Sequence, residues 1–433
     1  MIMSRSSGKR NRTTVAAPSV GLFGGMGVGN IGNDASMEAL LSYLRIDHPD
    51  AILDAMCGGP EEVKERYGLP AIPIQWSQRY GSQVPGIAGI ALKVLGRGID
   101  AYRTASWVRR HDVVIVPGMG VFETSLPLRP WGFPYAMFLL CASGKLFGTK
   151  VALVSVGASV ISQRLTRRLF TTAARLAFYR SYRDAFSYDA MRGQGVDTTA
   201  DQVYPDLVFS TPVPAFDAED AQIVGVGVMD YHGTNDDRKR AEEIYASYLE
   251  KLKYFVRWLV DSDRKVRLYV GDTNDSDGSV AQQILADVRS YRPDLDPSWV
   301  VAEPVSTFAD LMRAMAPATT VVATRYHNVI CALKLSKPTI SIGYAPKNVA
   351  LLADVGMSEY CQSVNSLDVG RLIEQFKDLE SHAPELRQTI AARNVVNRRL
   401  LESQFAELSA ALFPVAEPAH TAAERKRVGR GAG

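Results

Sequence analysis

Three basic side chains in the second half of the sequence offer the clearest chemistry. Arg325 and His327 follow Thr320–Ala323, an apolar run that predicts a buried strand, and an apolar helical pattern begins near His327. Lys347 stands in the same relation to the next predicted strand, Thr339–Ile342. Open α/β sheets bind ligands at the carboxyl ends of their strands, and guanidinium and ammonium groups bind charged oxygens strongly. The spacing therefore predicts an anion-binding site.

The electrostatics of helix ends supports an anion at this position. Helix N-termini carry partial positive charge, which disfavours a nearby cation by about 0.3–1 kcal/mol at an exposed position. A bound anion would offset that cost. Each residue also has an ordinary alternative, since Arg325 could pair with a neighbouring acid and His327 could be a hydrogen-bonded core residue. Three such residues after two successive predicted strands favour the anion site.

A glycine-rich loop near the start of the chain is the second candidate. It covers Gly24–Asp34, follows a strand predicted at Val20–Phe23 and precedes a helical pattern. Asp54 ends the next predicted strand, where a ribose-binding acid would stand, and the glycines at the dinucleotide-binding spacing are Gly27, Gly29 and Gly32. This spacing alone indicates a nicotinamide or flavin enzyme. However, glycines after a first strand suit any ligand that approaches the backbone closely.

Polar residues in the same loop indicate binding at the start of the helix. Asn30, Asn33 and Asp34 place hydrogen-bonding groups there. Asp34 has two interpretations between which the sequence does not choose, a helix cap and a ligand-binding side chain.

The order of the motifs along the chain resembles that of the polysaccharide pyruvyl transferases. The matching segments are Gly29-Asn-Ile-Gly-Asn-Asp34, Pro117-Gly-Met-Gly120, Tyr182-Arg-Asp-Ala-Phe-Ser187, and Arg325-Tyr-His327 with Gly343-Tyr-Ala-Pro-Lys347. The resemblance covers about residues 20–380. This sequence departs from the family's Gly-Asn-x-Gly-Asp loop at Asn33, and from its glycine cluster at Met119.

The resemblance implies transfer of the pyruvyl unit of phosphoenolpyruvate to sugar hydroxyls, usually as a ketal, with no metal and no redox cofactor. It places Arg325, His327, Lys347 and Arg183 at the donor, whose charged oxygens favour guanidinium and ammonium partners. His327 would act as the general acid that protonates the enol methylene, or would instead donate to the phosphate. Arg183 could alternatively form a local ion pair with Asp184 at the end of a basic helix.

The same resemblance implies an acceptor side in the first half of the chain. Catalytic Asp34, or Asn30, would orient or deprotonate the acceptor hydroxyl, and the other loop residues on this side are Gly29, Gly32, Gly118 and Gly120. The acceptor would be a sugar of a polysaccharide, a glycolipid, a lipid-linked oligosaccharide or a nucleotide sugar. The sequence leaves that choice, the ketal's regiochemistry and stereochemistry, and the oligomeric state open.

The elements that must position these residues predict an α/β fold. Short β-rich runs, one of them Ala185–Ser187, alternate with longer helical patterns such as the basic segment Arg164–Arg183. The proline-containing segment Ser210–Asp217 separates two series of strands, which predicts two doubly wound (Rossmann-like) domains with a crevice between them. The family resemblance implies the GT-B glycosyltransferase architecture. The predicted parts are a disordered basic arm (1–17), an acceptor-side domain (18–212), a donor-side domain (220–382), a closing helix (383–413) and a disordered basic tail (414–433).

Composition and charge exclude other classes of protein. The 433 residues are 46% apolar and 22% charged, as in soluble globular proteins, and the formal net charge is +3. Residues 1–12 carry four basic residues and no acidic residue, and residues 424–433 carry four basic residues and one acidic residue. The two ends therefore contribute +7 to the net charge, and residues 13–423 carry −4. The body therefore lacks the positive field that nucleic acid requires. The widely spaced cysteines are expected to be buried, reduced thiols: Cys57, Cys141, Cys331 and Cys361.

The apolar runs are too short for a membrane span, and the polar start lacks the apolar segment of a signal peptide. We therefore expect a cytoplasmic protein. The basic amphipathic segment Ile87–Arg110 could make peripheral contact with the inner face of a membrane, although a helix packed on its own domain is the ordinary alternative.

Three other functions fit parts of this sequence. A glycosyltransferase that uses a nucleotide sugar would have the same two-domain architecture. A dehydrogenase would rest on the glycine spacing alone. A non-catalytic carbohydrate-binding protein could keep the fold, but sugar binding does not need the cationic residues Arg325, His327 and Lys347.

Overall fold

The computed structural model describes residues 17–76, 87–123, 129–215, 222–272 and 276–414, and the described side chains exclude those of residues 87–93, 235, 236 and 238. Within these ranges the chain forms two α/β domains, each built on a parallel sheet. Apart from residues 17 and 414, the predicted basic arm and basic tail lie outside the described residues.

The described residues of the N-terminal domain form seven strands and six α-helices. The strands are β1 (Ser19–Gly24), β2 (Ile52–Cys57), β3 (Ala71–Pro73), β4 (Val113–Pro117), β5 (Lys150–Val156), β6 (Tyr179–Tyr182) and β7 (Gln202–Val203). The helices are α1 (Ile31–Asp47), α2 (Pro60–Tyr67), α3 (Ile87–Val108), α4 (Phe133–Phe147), α5 (Arg164–Leu176) and α6 (Ala185–Gly193). Every residue of β4 is buried, which is typical of a parallel strand covered on both faces.

The C-terminal domain contains six strands and seven helices among the described residues. The strands are β8 (Ile223–Gly227), β9 (Lys265–Tyr269), β10 (Val300–Ala302), β11 (Thr320–Ala323), β12 (Thr339–Gly343) and β13 (Cys361–Ser363). The helices are α7 (Ala241–Asp261), α8 (Ser276–Tyr291), α9 (Phe308–Met315), α10 (Tyr326–Lys334), α11 (Pro346–Asp354), α12 (Val369–Ser381) and α13 (Ala383–Leu412).

The strand order of both sheets reverses near the middle of the sheet. The N-terminal sheet runs β3-β2-β1-β4-β5-β6-β7, and the C-terminal sheet runs β10-β9-β8-β11-β12-β13. Connections therefore diverge at the carboxyl ends of β1 and β4 and of β8 and β11, which opens a crevice there. The glycine-rich loop follows β1, and Arg325 follows β11. The prediction of two doubly wound domains is confirmed.

The long helix α13 crosses from one domain to the other. In the C-terminal domain, the side-chain amide of Asn394 donates to the carbonyl of Leu333 at 2.8 Å. In the N-terminal domain, Lys150 Nζ donates to the carbonyl of Ala411 at 2.8 Å, and Gln404 hydrogen-bonds buried Ser155 and Ser181. Buried polar groups satisfied in this way hold the helix against both domains.

Three local predictions are wrong. The strand predicted to end at Asp54 continues to Cys57. Asp54 accepts a hydrogen bond there from Trp107 Nε1 at 2.9 Å and lies 2.9 Å from Nε2 of His111. Asp54 therefore does not stand at the end of its strand, the position at which a ribose-binding acid was predicted. Residues 185–187 begin α6 and are not a strand, because the Asp184 side chain caps that helix. The basic helix predicted over 164–183 ends at Leu176 and is followed by β6.

All four cysteines are free, and Cys57, Cys141 and Cys331 are buried whereas Cys361 is partly exposed. Burial raises the pKa of each thiol, so none is an activated nucleophile. No helix in the described part of the chain is long and apolar enough to cross a membrane.

Candidate active site between the domains

A cavity of about 250 Å³ lies between the carboxyl ends of the two sheets. Both domains line it. The residues on its wall that carry functional groups or shape it are Asn30, Asn33, Met119, Gly120, Glu123, Phe133, Arg183, Arg325, Tyr326, His327, Tyr344 and Lys347. Backbone contacts close the domains beside it, since the Ile31 N–H reaches the carbonyl of Gly271 at 3.4 Å.

The glycine-rich loop presents the start of α1 to this cavity. Asn30 is the N-cap of the helix, and its side-chain oxygen accepts from the backbone N–H groups of Gly32 at 3.1 Å and Asn33 at 3.2 Å. The Asn33 amide in turn donates to the carbonyl of Gly25 at 3.0 Å. Gly29 has φ of +81°, a conformation that glycine adopts without strain. The two asparagines therefore shape the loop that forms one wall of the cavity.

Asp34 lies behind that wall and does not line the cavity. Its carboxylate accepts from the Gly27 N–H at 2.7 Å and lies 3.8 Å from the Arg66 guanidinium. Burial raises the pKa of Asp34 to about 6. The helix cap is Asn30, so the capping interpretation of Asp34 is wrong. Its carboxylate instead fixes the conformation of the glycine-rich loop.

Gly32 allows His327 to lie against the first turn of α1. A Cβ atom on Gly32 would stand 1.9 Å from Nδ1 of His327, a distance at which no side chain can fit. The Nε2 atom of His327 is buried without a hydrogen-bond partner among the described residues. Burial, followed by the charges of Arg183 and Lys347, lowers the pKa of His327 well below its ordinary value. The imidazole is therefore neutral at neutral pH, with one nitrogen unpartnered.

Glu123 joins two of the predicted donor-binding cations. Its Oε2 accepts from Lys347 Nζ at 2.7 Å, and its Oε1 accepts from Arg183 Nη2. Burial opposes ionisation of Glu123, but Lys347 and Arg183 outweigh burial and lower its pKa to about 2. Since Glu123 and Arg183 belong to the N-terminal domain and Lys347 to the C-terminal domain, the cluster crosses the domain interface.

Arg183 is enclosed by acids and by an aromatic ring. Its Nη1 donates to Asp206 at 3.3 Å, its Nε lies 3.8 Å from Asp184, and its guanidinium lies 4.5 Å from the centre of the Tyr326 ring. The Lys347 ammonium lies 4.9 Å from the same ring. Cations over an aromatic face are stabilised by its quadrupole. The local Arg183–Asp184 pair proposed from the sequence is thus the longest of three acidic contacts.

Arg325 is paired within its own domain. Its Nε and Nη2 donate to the two oxygens of Asp277 at 2.8 and 2.7 Å, a bidentate pair. Asp277 is fully buried and also accepts from the N–H groups of Asp230 at 2.9 Å and Gly271 at 3.1 Å. The alternative in which Arg325 pairs with an acid is therefore present in the structure, although Arg325 also lines the cavity.

The glycines after β4 make room for neighbouring side chains. Gly118 has φ of +52°, and a Cβ there would stand 2.8 Å from Ser36 Oγ. A Cβ on Gly120 would stand 2.7 Å from Cδ of Glu123. Between them Met119 adopts φ of +64°, an uncommon conformation for a residue with a side chain. Only Gly120 of the two predicted glycines lines the cavity.

The structure thus brings most of the predicted site residues to one cavity and adds two residues that the sequence analysis missed. Asn30, Gly120, Arg183, Arg325, His327 and Lys347 line it, Gly32 contacts it through His327, and Gly29, Asp34 and Gly118 support it from behind. Glu123 and Asp277 were missed. The sequence did contain a signal for Glu123, an acid three residues after the glycine cluster. No group of three acidic, histidine or cysteine side chains within the described ranges could hold a metal ion.

Solved structures of two UDP-N-acetylglucosamine 2-epimerases and of a glycosyltransferase have a similar fold. A putative UDP-N-acetylglucosamine 2-epimerase from Listeria monocytogenes is similar over 92% of this chain and 97% of its own, with a TM-score of 0.58 and 11% identity. The UDP-GlcNAc 2-epimerase from Neisseria meningitidis bound to UDP-GlcNAc matches over 90% and 99%, with a TM-score of 0.54 and 10% identity. A glycosyltransferase from Rickettsia africae matches over 92% and 99%, with a TM-score of 0.54 and 11% identity. At these identities the likeness shows the GT-B-like fold.

No protein with a curated description matches the sequence. The family described as polysaccharide pyruvyl transferase matches residues 30–346, a span that begins at the cap of α1 and ends at the start of α11. That span contains nearly all of the cavity wall, and on this match the chain belongs to the polysaccharide pyruvyl transferase family.

Proposed function

We propose that this protein transfers the pyruvyl group of phosphoenolpyruvate to hydroxyls of a glycan and forms a pyruvate ketal. One observation carries the proposal: Arg183, His327 and Lys347 converge on one cavity from both domains. Phosphoenolpyruvate carries a phosphate and a carboxylate on either side of its reactive carbon. Such a donor needs cations from two directions and a proton donor between them.

The cations differ in how they would hold this donor. Lys347 and Arg183 would bind its anionic groups directly, since both lie at the cavity wall. Arg325 uses Nε and Nη2 on Asp277, so we assign it to positioning the turn between β11 and α10. Asn30 also lines this cavity and would orient the acceptor hydroxyl. Asp34 would act through the loop that it fixes.

The reaction starts with a proton on His327. In the empty site the imidazole is neutral, and the negative charge of a bound donor would raise its pKa and favour the protonated form. His327 then gives this proton to the methylene carbon, and positive charge develops at the neighbouring carbon. A sugar hydroxyl attacks that carbon and loses its proton, for which the neutral imidazole is the base. A second hydroxyl then attacks the same carbon as the carbon–oxygen bond to phosphate breaks. The proton of this hydroxyl passes to the departing phosphate, which leaves as hydrogen phosphate.

The test is phosphate release by the full-length protein. We expect release only when phosphoenolpyruvate and a suitable glycan are both present, because protonation without an attacking hydroxyl gives no product. Mass spectrometry of the glycan would show the added pyruvyl group. UDP-sugar turnover with no dependence on phosphoenolpyruvate would overturn the proposal in favour of a nucleotide-sugar glycosyltransferase.

We further propose that α3 makes a weak contact with anionic lipid at the inner face of a membrane. The side chains of residues 87–93, on which part of the sequence argument rests, lie outside the described residues. Further along α3, Val94 and Leu95 are 67% and 59% exposed, and the side chain of Arg97 on the same helix is 31% exposed and lies 3.6 Å from Asp100. Apolar side chains beside basic ones are typical of helices that lie at a lipid surface.

Co-sedimentation with vesicles tests this contact. Wild type should sediment with anionic vesicles at low salt and less at high salt, because salt screens the attraction. Val94→Glu/Leu95→Glu should abolish sedimentation, whereas Val395→Glu/Val396→Glu, a control on exposed positions of α13, should not. Equal behaviour of the two double variants would exclude α3 as the contact.

A further inference from the structure

The Glu123 carboxylate occupies the position between Arg183 and Lys347 that the proposed function assigns to an anionic group of the donor. The side chain lines the cavity and is 10% exposed. One carboxylate oxygen contacts Arg183 in its own domain, and the other contacts Lys347 of the opposite domain at 2.7 Å. The two cations assigned to the donor are therefore already bridged by a carboxylate.

The backbone around Glu123 is shaped to receive this carboxylate. A Cβ on Gly120 would stand 2.7 Å from its Cδ, and a Cβ on Gly157, directly after β5, would stand 2.5 Å from its Oε1. Any larger residue at either position would push the carboxylate off the two cations. Two glycines from separate strand ends thus leave a space that the carboxylate fills.

Charge makes Glu123 and an incoming anion competitors. Arg183 also donates to Asp206 at 3.3 Å, so its charge stays paired with an acid when Glu123 moves away. A donor phosphate or carboxylate on Arg183 and Lys347 would stand beside the ionised Glu123, and like charges at such distances repel strongly in a buried site. The cations can serve the donor fully only when the carboxylate leaves them.

We infer that Glu123 holds the donor's anion position in the empty enzyme and that an entering anionic group displaces it from Arg183 and Lys347. The identity of the donor in this inference rests on the proposed function. The competition between Glu123 and an anion for Arg183 and Lys347 does not. The displacement lowers the apparent affinity for any anion, because only the fraction of molecules with the carboxylate withdrawn can bind. A Glu123→Gln variant removes the competing charge at nearly constant size.

Calorimetric titration of the full-length protein with phosphoenolpyruvate, and separately with inorganic phosphate, tests the inference. Glu123→Gln should bind both anions more tightly than wild type, by roughly tenfold. Asp206→Asn is the matched control, because Asp206 contacts the same arginine but does not line this cavity. It should change anion affinity less than Glu123→Gln does.

The outcomes separate this inference from the proposed function. Equal or weaker binding of both anions by Glu123→Gln overturns it, since Glu123 would then only fix the two cations. Tighter phosphate binding with no preference for phosphoenolpyruvate supports the displacement and removes phosphoenolpyruvate as donor. Binding of neither anion by either protein overturns both. Glu123→Ala, which removes the carboxylate altogether, should also bind both anions more tightly than wild type, and loss of the fold in both variants would overturn the inference.

Discussion

This site contains two buried clusters, each of which pairs a carboxylate with basic side chains, and the two clusters are built differently. Asp277 is fully buried, grips Arg325 with both oxygens and is itself held by two backbone N–H groups of the same domain. Glu123 lines the cavity and divides its oxygens between cations of two domains. The first cluster has every feature of a structural ion pair. The second can exchange partners.

The difference shows that a cation at a strand end does not by itself identify a ligand-binding residue. Arg325 and Lys347 stand in the same relation to neighbouring strands, yet Arg325 has a bidentate partner within its domain whereas Lys347 pairs across the interface. Whether the basic residue can bind a ligand depends on whether its carboxylate partner can leave it. Four variants test whether one cluster stabilises the fold and the other binds the ligand. Each variant is compared with wild type in turnover, donor binding or stability.

The largest effect on turnover is expected at the residue between the clusters. His327→Asn should lower kcat by about 10²–10⁴-fold, the usual contribution of general acid–base catalysis, with a smaller change in the KM for phosphoenolpyruvate. Steady-state assays of phosphate release measure both constants. If KM alone changed, His327 would be a phosphate ligand and not the proton donor.

The structural cluster should respond mainly in stability. Asp277→Asn leaves the buried Arg325 without its carboxylate, which costs about 3–5 kcal/mol in comparable buried pairs. Urea unfolding followed by circular dichroism measures the loss. Asp272→Asn, which removes a carboxylate 3.9 Å from the same guanidinium and 21% exposed, is the control and should cost far less. Equal losses of unfolding free energy in the two variants would show that the bidentate pair of Asp277 with Arg325 contributes no more to stability than the exposed Asp272 does.

The cluster at the interface should respond mainly in donor binding. Lys347→Met removes a cation but keeps most of the side-chain volume, so the KM for phosphoenolpyruvate should rise about 10–100-fold, as expected for a lost charged hydrogen bond of about 1.5–3 kcal/mol. The free energy of unfolding should change less than in Asp277→Asn. A large loss of stability with unchanged KM would show that the two clusters do not differ in function.

The smallest effect concerns Asp34, an acid behind the cavity wall whose pKa is raised to about 6 by burial. Between pH 4 and 6 the unfolded chain has released this proton while the folded protein still binds it. Stability must therefore fall as pH rises through this window, by about 1–3 kcal/mol from this residue, and stay level above it. Asp34→Asn should remove this part of the pH dependence.

Urea unfolding of wild type and Asp34→Asn at pH 4, 5, 6 and 7 measures the difference between the two proteins. An Asn side chain can still accept from the Gly27 N–H, so the loop should keep its conformation. Parallel pH profiles for the two proteins would show that Asp34 does not titrate in this window.

Much of the fold could be predicted from local sequence. The alternation of short apolar strands with longer helices gives two doubly wound sheets, and the proline-containing segment at 210–217 separates them. Errors arose where local patterns were ambiguous. The tract 164–183 has a continuous basic character but contains a helix and a strand, and tertiary pairing of β6 with β5 decides the break.

The sequence alone determined that Arg325 and Lys347 stand at strand ends, because strand period, glycine turns and helix starts are local properties of the chain. Only the tertiary structure decided which acid neutralises which cation. Glu123 meets Lys347 across 224 residues of sequence, and Asp277 meets Arg325 across 48. Such pairings depend on how two sheets and their loops approach each other, because the attraction between a carboxylate and a cation weakens as the distance between them increases. The functional meaning of each basic residue is therefore fixed by its partner.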